Sequence, residues 1–381
     1  MNKGLIALAF GGLAIGMTEF TMMGILQDIA KDLNIAIPEA GHFIALYALG
    51  VVVGAPILTI LMGKIDAKKA LIWFMIIFTI FNGLFAVAPD YYTLAISRFL
   101  AGLPHGAFFG VGSVVAAQMA KKGKEAQAIS IMFTGMTIAN LLGVPLGTYL
   151  GHHYDWRLTY GIIALLGLIT CAAIYLWLPK FDKGTNGSMV TQLNYFKKYQ
   201  AWLIVAIISI GTGGLFSWIS YISPMVTNVG GLAENKVPII MFLVGLGMFF
   251  GNLIGGKLAD TISPTKAAIV CFSSMAATLV VVYFTAHLET MSYIMAFVTG
   301  MVAFTTGSPL QMILINSAKG SETLAAAAGQ ASFNIGNTLG AYFGGIPITM
   351  GLAYNVPVLV GVGMALIGAM LTYSYYVKYK V

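Results

Sequence analysis

Three ionisable residues sit where hydrocarbon is expected: Glu19 in Gly16-Met17-Thr18-Glu19-Phe20, Arg98 in Ser97-Arg98-Phe99, and His105, seven residues beyond Arg98. A charge at the centre of an apolar helix costs about 2.5 to 3.5 kcal/mol on insertion scales, which makes each one a functional candidate. A carboxyl facing a cavity can take up and release a proton. Burial and a nearby cation push its proton affinity in opposite directions, so a movable guanidinium is a natural modulator. A histidine two helical turns further along the same face can titrate or bind a solute. The chemistry these residues suggest is proton movement across a membrane. Glu19, Arg98 and His105 are its expected carriers.

The elements that must hold them are apolar throughout. The chain has 381 residues, of which 59% are hydrophobic and 9% charged, with a mean hydropathy of +0.87. A soluble globule needs about 25% charged residues. Stretches of eighteen or more mostly apolar residues predict twelve spans: 4–26, 41–62, 70–88, 92–118, 126–150, 157–178, 200–222, 238–256, 265–286, 290–315, 323–348 and 354–377. The first is long enough to cross and shows no cleavage site of a signal peptide. The basic residues fall on alternate connections. Sixteen (Lys3, Lys64, Lys68, Lys69, Lys121, Lys122, Lys124, Lys180, Lys183, Lys197, Lys198, Lys257, Lys266, Lys319, Lys378 and Lys380) share one face. Lys31, Arg157 and Lys236 share the other. The positive-inside rule then predicts that both termini are cytoplasmic, and this topology accounts for the net charge of +7 without a nucleic-acid surface. Cys171 and Cys271 lie in apolar spans and read as core residues.

The longest polar connection, 179–199, divides the chain into 1–178 and 200–381, each with six spans, and the two parts echo one another. Gly-x4-Asn followed by Gly-x-Tyr-x-Gly occurs at Gly135, Asn140, Gly147, Tyr149 and Gly151, and again at Gly329, Asn334, Gly340, Tyr342 and Gly344. Gly63-Lys64-Ile65-Asp66 after the second span has a counterpart in Gly256-Lys257-Leu258-Ala259-Asp260 after the eighth. An even number of spans per repeat makes the repeat parallel. Small residues every fourth position recur at Gly50 and Gly54, at Gly143, Gly147 and Gly151, at Gly247, Gly251 and Gly255, and at Gly336, Gly340 and Gly344. Such stripes permit close backbone approach in lipid, and their equivalent positions predict a sliding seam between the two parts. Depth arithmetic puts Glu19 and Arg98 both roughly 10 Å below the outer surface, where they could form an ion pair.

The runs GMTEF at 16–20, YALGVVVGAP at 47–56, SRFLAGLPHGAFFGVG at 97–112, GMTIANLLGVPLGTYLG at 135–151 with Trp156-Arg157, and GLAYN at 351–355 resemble the arabinose-efflux permease branch of the drug:proton antiporter-1 family, within the major facilitator superfamily. The resemblance covers essentially the whole chain. It implies an all-α polytopic membrane protein with twelve transmembrane helices in two parallel six-helix repeats, alternating access, and proton-driven export of a small solute from a bacterial inner membrane. It implies further that Arg98 with Gly102 belongs to a proton-transfer element. Gly143, Pro145 and Gly147 match a helix-5 antiporter motif, although the chain reads Gly-Val-Pro where the wider family reads Gly-Pro. Gly63, Lys64, Asp66, Lys68 and Lys69 match a gating loop that is shortened here, with Asp260 as the counterpart in the second repeat.

Alternating access puts a solute site near the midplane, between the two repeats. Met22, Phe108, Asn140, Phe216, Trp218, Tyr221, Gln311 and Asn334 are the candidates, aromatic and amide groups suited to a neutral or moderately amphipathic ligand. His152, His153 and Asp155 give too few ligands for a metal and read as a wet loop. No phosphate-binding loop is present, so the driving force is expected to be a proton gradient with no cofactor. The partners expected of a single working chain are therefore a small solute, protons and the bilayer, with no nucleic acid. Proton-coupled sugar uptake is the alternative within this class. A passive channel or a receptor is the alternative outside it, and converging polar groups of an enzyme site are missing.

Overall fold

The computed structural model describes residues 3–62, 65–120, 125–181, 194–318 and 322–379, and the described residues hold helices and no strands. Gly63 and Lys64, three of the sixteen face-defining lysines at 121, 122 and 124, and Lys183, Lys319 and Lys380 lie outside the described residues, as does most of the 179–199 linker. The side chain of Asp260 lies outside them too.

The helices are α1 (Lys3–Gly24), α2 (Leu26–Leu33), α3 (Ile37–Met62), α4 (Ala67–Val87), α5 (Tyr91–Gln118), α6 (Glu125–Ile138), α7 (Val144–Leu150), α8 (Trp156–Trp177), α9 (Tyr199–Ile219), α10 (Ile222–Asn228), α11 (Val237–Ile262), α12 (Pro264–Thr285), α13 (Glu289–Phe304), α14 (Gly307–Ser317), α15 (Glu322–Thr349) and α16 (Pro357–Tyr379). Each predicted span maps onto one of these helices, or onto two in sequence. Among the described residues ten helical stretches are long and apolar enough to cross a membrane. One of them, Ile131–Trp177, has 47 residues, about twice what one crossing needs. It reverses at Asp155, which is extended in backbone and caps α8 through its carboxylate, Oδ1 accepting from the Arg157 N–H at 2.8 Å.

Local chemistry sets the interruptions. Pro145 cannot donate a backbone hydrogen bond. The turn before it widens into a π-helix over Ala139–Gly143, in which the Val144 N–H reaches back to the Ala139 carbonyl. Asn34, in the left-handed region at φ 52°, ends α2. The first, seventh and tenth spans break at Ile25, at Ser220–Tyr221 and at Thr305–Thr306, the last two at weakly polar pairs too short to end an apolar run. Asp66 caps α4 through the Lys69 N–H. Asp90 caps α5 through the N–H groups of Tyr92 and Thr93, each at 3.0 Å.

Packing repeats with the sequence. In the first group α1 packs on α6 and α8, α3 on α5, and α4 on α8; in the second, α9 packs on α15 and α16, α11 on α13, and α12 on α16. Offset by six spans, the pairs are the same. Between the groups α3 packs against α15, and α11 against α7 and the π-helix.

The glycine stripes lie elsewhere than expected. A Cβ on Gly50 or Gly54 would come 2.1 Å from the carbonyl oxygen of Phe99 or Leu103 on α5. One on Gly247, Gly251 or Gly255 would come 2.1, 2.0 or 2.2 Å from carbonyls of Phe297, Met301 and Thr305. Gly143, Gly147 and Gly151 face Met17, Thr21 and Ile25 of α1, while Gly336, Gly340 and Gly344 face Thr212, Phe216 and Ser217 of α9. All four stripes therefore fasten helices within a group, and the expected sliding seam is not made of them. At the seam itself Gly245 meets the Asn140 carbonyl, 2.1 Å from where its Cβ would be.

Overpacking costs typically 1–3 kcal/mol, so Gly54→Ala is expected to lower the thermal midpoint of the purified protein by several degrees, whereas Gly363→Ala, with nothing within 4 Å of the new methyl, leaves it unchanged. The N–H and then the hydroxyl of Thr93 hold the Asp90 carboxyl below the usual carboxylate range. A depressed folded-state value stabilises the protein above the ordinary carboxylate range and ceases to do so as pH falls through it. Asp90→Ala should therefore lower the thermal midpoint at pH 7, with the difference from wild type shrinking as the solution is acidified.

Candidate functional site

Two faces of the bundle differ in lysine, and the functional geometry is easiest to follow from the lysine-poor one. There α1 continues into α2, α8 begins, and α10 leads to the 3₁₀ turn Glu234–Lys236. Beneath this face lies a polar cluster built around Arg98 on α5.

Arg98 is fully buried, at 0% exposure. Its Nη1 donates to the Thr18 hydroxyl at 3.1 Å and to the Thr18 carbonyl at 3.3 Å, and its Nε donates to the Phe43 carbonyl at 3.3 Å. The guanidinium lies over the Tyr47 ring at 4.3 Å, with the Phe85 and Tyr160 rings at 5.5 and 5.6 Å. Aromatic faces attract a buried cation electrostatically. Thr18 in turn donates to Asn82 Oδ1, and Asn82 Nδ2 donates to the Phe78 carbonyl at 2.8 Å. Tyr47 and His105 Nδ1 share a hydrogen bond at 3.2 Å.

Glu19, 3% exposed, stands beside this cluster within the field of Arg98. The two form no ion pair within 4.0 Å: the pairs among described residues are Lys31–Glu234, His152–Asp28, His152–Glu234 and Arg157–Asp32. The expected Glu19–Arg98 pair is corrected accordingly. Arg98 gives its Nε and Nη1 donors to neutral carbonyl and hydroxyl oxygens, because Thr18 and Phe43 offer acceptors on two neighbouring helices. Four buried atoms in and around the cluster have no hydrogen-bond partner: Glu19 Oε1, Arg98 Nη2, His105 Nε2 and the Tyr160 hydroxyl. Buried polar atoms are overwhelmingly satisfied in folded proteins, which makes these four the groups to follow in the cluster.

The solute candidates scatter. Met22 is buried within α1. Phe108 packs onto Gly11 and Phe109, Phe216 onto Phe333, and Asn140 lies in the π-helix at the seam. Trp218 is buried with its Nε1 unpartnered, in a pocket shared with Met225, Ser292 and Met295. Gln311 is half-buried on α14, near Gly329. Asn334 donates to the Gln330 carbonyl at 3.0 Å and leaves its Oδ1 unpartnered. Among the described residues no side-chain hydrogen bond joins one of the eight candidates to another. Sequence reasoning missed Asn337, which lies one turn from Asn334 on α15, is 1% exposed, and has neither side-chain polar atom hydrogen-bonded. Its amide is within reach of the Glu19 carboxyl. The Asn-x2-Asn spacing was the available signal.

Tyr221, of the second group, packs at the seam against Gly41 of the first. Its hydroxyl donates to the Ala341 carbonyl at 2.7 Å and lies where Cβ atoms on Gly41 and Gly345 would fall, 2.6 and 2.5 Å away. Gln27 Nε2 donates to Ser223 Oγ at 2.9 Å and Thr227 Oγ1 at 3.0 Å; Lys31 pairs with Glu234; and Thr338 donates to the Ala45 carbonyl at 3.3 Å. The bonds of Gln27, Lys31 and Thr338 join the two groups between the lysine-poor face and the middle of the bundle. His152, expected in a wet loop, is packed there with its Nδ1 2.9 Å from Asp28 and its Nε2 3.9 Å from Glu234, and His153 stacks on Tyr149 at 4.1 Å. Asp66 and Lys68, at the lysine-rich face, bind the end of α8 instead of the other group: Asp66 accepts from the Phe181 N–H at 2.9 Å and Lys68 donates to the Leu178 carbonyl at 2.6 Å.

The sequence profile of the Major Facilitator Superfamily matches residues 8–341. AraJ of Escherichia coli (strain K12) is 40% identical over 380 residues, covering 100% of this chain and 96% of that protein. The inner membrane transport protein YdhP of the same organism is 38% identical, covering 96% and 95%. A protein of Helicobacter acinonychis (strain Sheeba) named as a sugar efflux transporter is 28% identical, covering 88% and 86%. Among solved structures, a bacterial homologue of the lysosomal transporter Spinster, inward-facing and unoccupied, superposes with a TM-score of 0.78 at 15% identity over 97% and 95% of the two chains. A D-xylose-proton symporter gives 0.76 at 13% identity over 97% of each. These last two likenesses concern the fold.

Each hydrogen bond to a neutral partner contributes about 0.5–1.5 kcal/mol, so Gln27→Ala, which loses two across the seam, should shift the closed seam toward opening by about 1–3 kcal/mol. The measurement is the spin–spin distance between labels at Tyr154 and Thr290, both exposed on the lysine-poor face, with Cys171 and Cys271 replaced. A longer-distance population should grow.

Proposed function

The chain belongs to the Major Facilitator Superfamily, and from that premise we propose that it is a proton-coupled exporter of a small polar solute, sugar-like in class, working by alternating access in a bacterial inner membrane. One observation carries the coupling: Glu19 is buried beside a cation whose Nε and Nη1 donors are committed to other oxygens. An acid held in a fixed ion pair would break its partner's bonding whenever it took up a proton. Glu19 can gain or lose one while Arg98 keeps its three hydrogen bonds, and the change of charge is felt through the field between them.

The cycle follows from the seam. The lysine excess supports a cytoplasmic location for the lysine-rich face. The bonds made by Gln27, Lys31 and Thr338, with the Tyr221 hydroxyl packed beside Gly41, then close the outer side, and this is the form from which an exporter loads. Rocking of the six-span halves about the midplane would exchange this closure for one on the other side. Export and a sugar-like solute are supported by the likeness to the arabinose-efflux branch and by the Helicobacter relative named for sugar efflux. The inner-membrane location is supported by YdhP. The polar cluster lies within one chain, which suits a working monomer.

The test is solute-driven proton movement in proteoliposomes, read by an internal pH dye across pentoses, nucleosides and lipophilic cations. Wild type should move protons against a solute of the sugar class. Glu19→Gln should reduce that movement at least tenfold while solute still binds; movement that survives the substitution removes Glu19 from the coupling role. Protons travelling in the same direction as the solute would make the protein a symporter.

A further inference from the structure

Antiport imposes one requirement that Glu19 alone does not meet. A carrier that exchanges a proton for a solute must rearrange when either is bound and stay fixed when neither is, since an empty carrier that switches freely dissipates the gradient. The deprotonated, solute-free form therefore needs a lock. Something on the second half must distinguish carboxylate from carboxylic acid.

The groups that face Glu19 can be named element by element. On its own side of the seam they are Arg98 on α5 and Tyr47 on α3, with His105 on α5 and Tyr160 on α8 behind Tyr47. From the second half, α15 brings the amide of Asn337 within reach of the carboxyl. Arg98 and the aromatic groups move with Glu19 as part of one bundle and cannot hold the halves together. Asn337 belongs to the other bundle. The neighbouring Thr338 donates across the seam to the Ala45 carbonyl at 3.3 Å, so this stretch of α15 sits against α3 in the closed form.

Asn337 is also chemically idle as it stands. Asn82, a buried asparagine of the same cluster, uses both ends of its amide, donating to Phe78 and accepting from Thr18. Asn337, 1% exposed, uses neither, and Glu19 Oε1 opposite is likewise unpartnered. A buried amide with two idle ends is destabilising unless a partner arrives. We propose that Asn337 is the positioning residue through which the second half reads Glu19: its Nδ2–H binds the carboxylate and holds the empty carrier closed, and either a proton on Glu19 or a hydroxyl-bearing solute that takes one of the two groups releases it.

Hydrogen bonds to an ionised acceptor are about twice as strong as neutral ones. Protonating Glu19 is thus expected to lower the closed-to-open ratio about tenfold. The inference rests on the proton-coupling role given to Glu19 above.

The experiment uses the full chain in lipid nanodiscs, with spin labels at Tyr154 and Thr290 and Cys171 and Cys271 replaced, measured from pH 5 to pH 9 without solute. Wild type should show its largest closed population at high pH and lose it, about tenfold in ratio, as pH falls. Asn337→Leu, which keeps the side-chain size and removes both polar ends, should be more open at high pH and insensitive to pH. Asn337→Ala should behave the same, so that poor folding of one variant leaves the other to decide. In sealed liposomes both should leak protons without solute. The double variant with Glu19→Gln should match either single one, as expected for two groups acting through one contact. If the response to pH persists in both Asn337 variants but vanishes in Glu19→Gln, the lock is overturned and the role of Glu19 stands. If it persists in all three, both readings fall.

Discussion

A guanidinium that never loses its charge is buried among helices with no carboxylate in contact, and much of the first bundle is arranged to make that tolerable. Taking such an ion out of water costs several kcal/mol even after relaxation. Arg98 recovers this from three oxygens and three aromatic faces contributed by α1, α3, α4 and α8. Two of the oxygens are backbone carbonyls, so the register of α5 against α1 and α3 is set by where those carbonyls can be reached. Gly50, Gly54 and Gly102 allow the approach, since a Cβ at any of them would strike a facing carbonyl at 2.1 Å. The acid beside Arg98 inherits its position: Glu19 follows Thr18, whose backbone and side chain both hold the guanidinium.

Much of this was legible in the sequence, and the reasons for the remainder are specific. The spans could be read because lipid demands long apolar runs. The breaks at Ile25, Tyr221 and Thr305 could not, because a helix can bend at an apolar or weakly polar residue without any change in hydropathy. The glycine stripes announced that backbones come close but not whose; Gly251 meets Met301 of its own bundle, not a helix across the seam. Depth along the helix put Glu19 and Arg98 at one level, yet height says nothing about angle around the axis, and a hydroxyl and two carbonyls stood closer to the guanidinium. Asn337 was passed over for a plainer reason. The Asn-x2-Asn spacing shared with Asn334 was its only mark, and it reads as ordinary packing until the structure shows that both ends of its amide lack partners.

The two closures differ in kind. On the lysine-rich face Asp66 and Lys68 tie α4 to the end of α8, inside one bundle. On the lysine-poor side Gln27, Lys31 and Thr338 reach from one bundle to the other. The second set consists of short polar contacts with few buried charges, and such bonds can be broken and remade at modest cost.

Tyr221 adds something these contacts do not. Its hydroxyl stands at the junction of α9 and α10, and it occupies the space beside two glycines of different bundles, Gly41 on α3 and Gly345 on α15. The oxygen acts as a calliper whose jaws are bare backbone, and the width it gauges is set by the absence of side chains. Closure at this point is thus written as two missing methyl groups. One added carbon at either jaw would wedge the gate ajar without touching an acid, a base or a solute, which makes the emptiest positions in the protein among the least free to drift.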